Sequence, residues 1–234
     1  MPNAIIVGAS SGIGRALAKE LSRDYDLGLA ARRIERLKAV GEDIGGAHVA
    51  KIDVTEADAR ERFDDLVESL GGVDLVVLSS GIGRYNPDLE WEDERDTIDV
   101  NVRGFTALAT AAMEQFEASD GGHLVGLSSV ASEVGSPTMP AYSASKAYVS
   151  RYLEGLRYRA DDDDVAVTDI RPGFVDTPMS PEADRFWECS PETAASQITR
   201  AIEKEKNVAY VTRRWWLVSK VLGLLPDRYR ASVM

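Results

Sequence analysis

The stretch Ala4-Ile5-Ile6-Val7-Gly8-Ala9-Ser10-Ser11-Gly12-Ile13-Gly14 decides how the rest of the chain is read. Its first four residues are apolar and short enough to be a buried strand, and from Ile13 to Leu21 apolar residues recur at helical spacing. The glycines between them let the backbone turn tightly and come close to a phosphate. The helix that follows offers free amides and the positive end of its dipole. The spacing is Gly-x-x-x-Gly-x-Gly. Gly8, Ser10, Ser11, Gly12, Ile13 and Gly14 are therefore read as the cradle for the pyrophosphate of a dinucleotide.

Working outward, short apolar runs alternate with longer helical patterns, the signature of βαβ units and a parallel sheet. Strands are expected at 4–7, 27–31, 47–52, 73–78, 124–127, 165–170 and 208–211. Helices are expected at 13–21, 34–44, 57–70, 91 to about 117, 144–160 and 191–203. The last of these has Ser190 as its N-cap and Pro191 in its first position. No repeat, low-complexity tract or linker interrupts the pattern. The expectation is a single domain over 1–234, α/β, with a doubly wound parallel sheet of about seven strands and helices on both faces. Asp161-Asp162-Asp163-Asp164 reads as a solvated loop between the helix at 144–160 and the next strand.

The chain has 234 residues, enough to bury a substantial core. Its formal net charge of -12 argues against a nucleic-acid partner, which needs a basic face. Strong acidity with few lysines fits either adaptation to high salt or simple solubility, and both stay open. No run approaches the roughly 20 apolar residues that cross a bilayer, and the N-terminus does not read as a signal peptide. Cys189 is the only cysteine, so an internal disulfide is impossible and a reducing cytoplasmic setting is expected. With one cysteine and two distant histidines, His48 and His123, no metal site is expected.

Three further groups of residues fall where strands end. Ala31 occupies the place where an acid would bind a ribose 2′-hydroxyl, and Arg32 and Arg33 follow it. Two cations at a helix start oppose its dipole, and a bound 2′-phosphate would relieve that conflict. NADP(H) is therefore expected over NAD(H). Asp53-Val54 ends the third strand; Asp53 either reaches the adenine or caps the next helix, in competition with Thr55. Ser129 follows the fifth strand and lies thirteen residues before Tyr142. Tyr142 and Lys146 are four apart, which puts them on one face of a helix. A phenol near an ammonium is expected to have its pKa pulled from about 10 toward the working range, making a proton-transfer pair.

With Asn101 added, these motifs resemble the short-chain dehydrogenase/reductase family, from Gly8 to about Thr177. The matches occur in family order: the glycine turn, Asn101-Val102-Arg103-Gly104, Ser129 with Tyr142, Tyr142-x-x-x-Lys146, and Pro172-Gly173-Phe174-Val175-Asp176-Thr177. The resemblance implies a Rossmann fold and an NAD(P)-dependent oxidoreductase acting on a small carbonyl or alcohol. It implies Tyr142 as general acid or base and Lys146 as the group that lowers its pKa and holds the nicotinamide ribose. It implies Ser129 as the hydrogen-bond donor to the substrate oxygen and Asn101 as the holder of a relay water. Pro172, Gly173, Val175 and Thr177 would contact the nicotinamide end, and Gly81 the adenine ribose. One departure is Leu78-Ser79-Ser80-Gly81, where the family usually has Asn-Asn-Ala-Gly. Ser128, Ser143 and Ser145 are taken as structural.

Residues 178–190 read as a short loop covering the substrate, with Phe186 and Trp187 as candidates to line it beside Tyr85, Pro137, Met139 and Phe174. The segment 212–234 carries Trp215-Trp216-Leu217 and a further apolar run. It suits a homo-oligomer (dimer or tetramer) contact or a cover over the cleft better than a membrane surface. Two other functions compete. A nucleotide-sugar epimerase or dehydratase would have a longer chain and a different glycine spacing. A non-enzymatic NADP sensor or scaffold would be expected to lose Tyr142 or Lys146.

Overall fold

Residues 1–119, 121–160, 164–179 and 187–218 are described by a computed structural model. The strands are β1 (Asn3–Val7), β2 (Asp26–Ala31), β3 (His48–Lys51), β4 (Leu75–Leu78), β5 (Gly122–Leu127), β6 (Val165–Pro172) and β7 (Val208–Val211). They form one sheet in the order β3-β2-β1-β4-β5-β6-β7, with every pairing parallel. The chain winds away from β1 through β2 and β3, then returns to the other side of β1 at β4. The reversal opens a crevice at the carboxyl ends of β1 and β4, where ligands bind in sheets of this kind.

The helices are α1 (Gly12–Leu21), α2 (Ile34–Asp43), α3 (Ala59–Leu70), α4 (Trp91–Ile98), α5 (Phe105–Glu117), α6 (Pro140–Arg159) and α7 (Pro191–Ile202). Successive strand residues point to opposite faces, and β1 shows the result. Ile5 and Val7 join Phe63 of α3, Phe116 of α5 and Leu153 of α6. Ala4 and Ile6 join Leu17 of α1, Leu37 of α2 and Ile198 of α7. Ser190 caps α7 as expected, its hydroxyl accepting from the Thr193 amide at 3.2 Å.

Four sequence expectations change. The single helix expected from Trp91 to about Glu117 is broken by a π-helical segment, Asp99–Gly104, between α4 and α5. The helix expected to begin at Ala144 begins at Pro140, because proline needs no amide partner in the first turn. The Ala141 amide is satisfied from outside by Glu94 Oε2 of α4, at 3.0 Å. Asp53 does not cap α3, which starts six residues later at Ala59. Its Oδ1 instead accepts from the amide and hydroxyl of Thr55, at 3.1 and 2.8 Å, and closes a turn. A 3₁₀ turn at Val130–Glu133 was not foreseen. The acidic run is described only at Asp164, Asp161 to Asp163 lying outside the described residues.

His123, buried on β5, contacts Thr168 Oγ1 at 2.8 Å, and burial pushes its pKa down to about 4. The unfolded chain takes up that proton below about pH 6.5 while the folded chain excludes it. Stability is therefore full above pH 6.5 and lost as pH falls toward 4, by roughly 3 kcal/mol from this group alone. Urea unfolding of wild type and His123→Gln between pH 7 and 4 should show a smaller acid-side loss in the variant.

Candidate active site

The glycine turn lies at the mouth of the crevice. Gly8 has φ +94°, a conformation side chains rarely adopt, and a Cβ there would stand 2.7 Å from the Ser80 amide nitrogen. A Cβ on Gly14 would run into the Gly8 carbonyl. The turn is thus closed against both the β4 loop and its own helix. Ser11, the N-cap of α1, makes no side-chain cap, and the first turn carries no acid. Its amides remain available for an anion in front of them. The cradle fits the pyrophosphate of a dinucleotide. Arg33 Nη2 donates to the Ser10 and Ser11 hydroxyls at 3.0 and 2.9 Å, tying the end of β2 to the same turn. Arg32 is exposed beside it. Burial, and then the charges of Arg36 and Arg32, push the Arg33 pKa down, which marks a local excess of positive charge.

The second half of the site hangs on α6. Tyr142 and Lys146 share one face of it, and a Cβ on Gly83 would sit 2.9 Å from Met139 Cε and 3.3 Å from the Tyr142 ring. Lys146 is 6% exposed; its Nζ donates to the Leu127 carbonyl at 2.9 Å and stands 5.9 Å from the centre of the Tyr142 ring. Burial lowers its pKa to about 8, against the opposing pull of Asp169. Burial raises the Tyr142 phenol, and a hydrogen bond with the Ser129 hydroxyl acts the other way. Against the expected lowering toward the working range, burial is the largest influence and holds the phenol's pKa up. Ser129 bonds the hydroxyl, while the ammonium lies over the ring. Ser129 Oγ also accepts from the Ala131 amide at 3.1 Å and reaches the Pro172 carbonyl at 3.4 Å.

Asn101 sits in the π segment and is 1% exposed. Its Oδ1 accepts from the Ile82 amide at 2.9 Å, and its Nδ2 donates to the Ile82 carbonyl at 2.8 Å and the Ser145 hydroxyl at 3.0 Å. A Cβ on Gly81 would meet Lys146 Nζ at 3.2 Å and Asn101 Oδ1 at 3.3 Å. Gly81, Asn101, Ser129, Tyr142 and Lys146 are thus brought together. Val54 is buried beside Gly104, Val175 is buried in the core, and Ile13 is partly buried there. Thr177 lies over the glycine turn, its Cγ2 3.1 Å from where a Gly12 Cβ would be. Ser143 belongs to the first turn of α6, its hydroxyl accepting from the Ser136 amide at 3.1 Å.

Trp215 folds back onto this region. Its indole lies against Gly173, with ring centres 5.4 Å from Phe174 and 6.0 Å from Trp187. Tyr85 is 71% exposed. Phe186 and most of the expected covering loop, 180–186, lie outside the described residues, as does the tail from 219. Among the described residues there is no cluster of metal-ligating side chains, and no helix is long and apolar enough to cross a membrane.

A glycine turn with free helix amides, together with a clustered tyrosine, lysine and serine, suits a dinucleotide-dependent oxidoreductase. A family model described as short chain dehydrogenase matches residues 2–186, and the chain belongs to that family. An uncharacterized oxidoreductase of Myxococcus xanthus is 41% identical over 185 residues, 76% of this chain and 73% of that protein. A short-chain dehydrogenase of Burkholderia cenocepacia, solved in complex with NADP, is 27% identical with a TM-score of 0.80, covering 89% of this chain and 94% of that one. A 7β-hydroxysteroid dehydrogenase shares the fold with a TM-score of 0.87 at 22% identity, over 100% of this chain and 96% of that one. The protein is an NAD(P)-dependent dehydrogenase or reductase.

Proposed function

We propose that the protein is NADP(H)-dependent and reduces a small carbonyl compound, or oxidises the matching secondary alcohol, with Tyr142 as general acid or base. The observation that carries this reading is the partly buried Tyr142 phenol, hydrogen-bonded to Ser129 and flanked by Lys146. A bound nicotinamide dinucleotide supplies the hydride donor or acceptor. Gly8, Ser10, Ser11, Gly12, Ile13 and Gly14 hold its pyrophosphate. Asp53, Val54 and Gly81 border its adenosine half, and Pro172, Gly173, Val175 and Thr177 its nicotinamide end. Lys146 binds the ribose.

As the substrate oxygen gains negative charge, the Ser129 hydroxyl donates a hydrogen bond to it. Tyr142 then gives up its proton to that oxygen. Burial holds the phenol's pKa up, so the hydroxyl carries the proton it would deliver. Lys146, with a pKa of about 8, is mostly charged at neutral pH and compensates the phenolate that forms. Asn101 orders the backbone at Ile82 beside this pair, and would hold the relay water that the family resemblance assigns to it.

The preference for NADP(H) rests on Arg32 and Arg33 at the end of β2, where an acid would serve NAD, and the NADP-bound neighbour agrees with it. Fluorescence titration with NADPH and NADH, followed by a panel of aldehydes, ketones and alcohols, tests the reading. A chain that binds neither cofactor, or binds but turns over none of them, would defeat it. Arg32→Asp should shift the ratio of NADPH to NADH affinity about ten- to a hundredfold toward NADH. An unchanged ratio would remove the 2′-phosphate from the assignment.

A further inference from the structure

Asp169 of β6 is 1% exposed, next to the buried Thr168 in a strand whose other buried residues are apolar. A buried carboxylate is costly unless it is fully bonded. Oδ1 accepts from the Ser128 hydroxyl. Oδ2 accepts from the Ser150 hydroxyl at 2.6 Å and from Arg171 Nε at 2.8 Å. Arg171 in turn donates through Nη2 to Ser150 Oγ at 2.6 Å, and through Nη1 to Glu133 and to the Tyr210 hydroxyl at 3.0 Å. Burial opposes the charge on Arg171, but Asp169 and the other partners outweigh it and raise its pKa.

The partners of this carboxylate are placed with unusual economy. Ser128 is the residue before Ser129. Ser150 is one helical turn after Lys146 on α6. The Lys146 Nζ–Leu127 carbonyl bond joins α6 directly to the end of β5. β5, α6 and the strand leading to Pro172 and Gly173 are therefore fixed to one another through a single side chain.

We propose that Asp169 is a positioning residue for this site, holding Ser129 and Lys146 in register through Ser128 and Ser150. The proposal rests on the reading of Tyr142, Ser129 and Lys146 given above. Asp169 has a second effect, because its charge favours the protonated form of Lys146. The charged and titratable groups around it are Arg171 on its own strand, Lys146 and Arg157 on α6, Glu133 of the 3₁₀ turn and Tyr210 of β7. Those facing Lys146 are Tyr142 and Asp169.

Asp169→Asn keeps the shape and removes the charge. It should lower kcat about ten- to a hundredfold with little change in NADPH affinity. The alkaline limb of the reductive pH profile should move to lower pH by about one unit. The Lys146 Cε resonance, followed by NMR in protein with labelled lysines, should titrate at lower pH by a similar amount. Ser128→Ala cuts one link and keeps the charge; it should lower kcat while leaving both titrations in place. It also serves if Asp169→Asn does not fold. Unchanged kcat and titrations in a variant that only melts earlier would make the network structural and overturn the proposal. Tyr142→Phe, run in parallel, separates the two readings. If it is inactive and Asp169→Asn is not impaired, only the positioning role fails. If Tyr142→Phe is fully active, both fail.

Discussion

Tyr142→Phe should lose about 10²- to 10⁴-fold in turnover while binding NADPH as wild type does. The substitution removes one oxygen and keeps the ring. Met139 and Gly83 still have their neighbour, and the Lys146 ammonium still stands over an aromatic face. What is lost is the buried proton and the bond to Ser129. The Ser129 hydroxyl keeps the Ala131 amide and the Pro172 carbonyl, so the cost in stability should be small, about 1 kcal/mol. Steady-state kinetics, a fluorescence titration and a melting curve on the same sample read all three quantities. Full turnover in the variant would mean that the proton comes from elsewhere.

Gly8→Ala should have the second largest effect, and it acts on the fold and the cradle together. Two separate penalties add. The backbone at +94° is strained for any side chain, and the new Cβ would lie 2.7 and 2.8 Å from backbone atoms of Ser80 and Ser79. Those atoms cannot swing aside as the end of a flexible side chain can. A loss of roughly 3 kcal/mol is expected, with NADPH affinity at least about tenfold weaker because the turn is displaced. Gly155→Ala is the matching control. Gly155 is exposed within α6, and a Cβ there meets nothing within 4 Å. The same chemical change should stabilise that helix by about 0.5–1 kcal/mol. Opposite signs in denaturant melts would show that geometry, and not glycine content, decides the outcome.

Much of the architecture was legible in the sequence because its signals are local. Each strand of a buried parallel sheet is an apolar run, and each crossover helix has its own periodicity, so all seven strands could be placed. The glycine turn, Ser129, Tyr142 and Lys146 declared themselves by residue type and spacing. What escaped depends on partners distant in the chain. The true start of α6 rests on Glu94, 47 residues before the amide it satisfies. The acidity of Tyr142 was misjudged because spacing reveals which residues share a helix face, not which atom a side chain bonds. Asp169 did leave a trace, an acid inside an expected strand and two residues before an arginine. Its partners Ser128 and Ser150, and the Glu133 and Tyr210 that hold Arg171 beside it, come from distant parts of the chain, and only the fold assembles them.

The π segment keeps two halves of a helix in phase. Up to its end, Thr97, Val100, Asn101 and Gly104 are buried; after it, Phe105, Leu108, Ala109, Ala111, Ala112, Met113 and Phe116 are. At 3.6 residues per turn, an unbroken helix would set the centres of these two groups about 90° apart. A π turn absorbs one surplus residue and cancels that angle. Asn101 can therefore look into the crevice while Phe116 still looks into the core. A chain one residue shorter here would have to give up one of the two, so the irregularity acts as a phase correction between chemistry and packing.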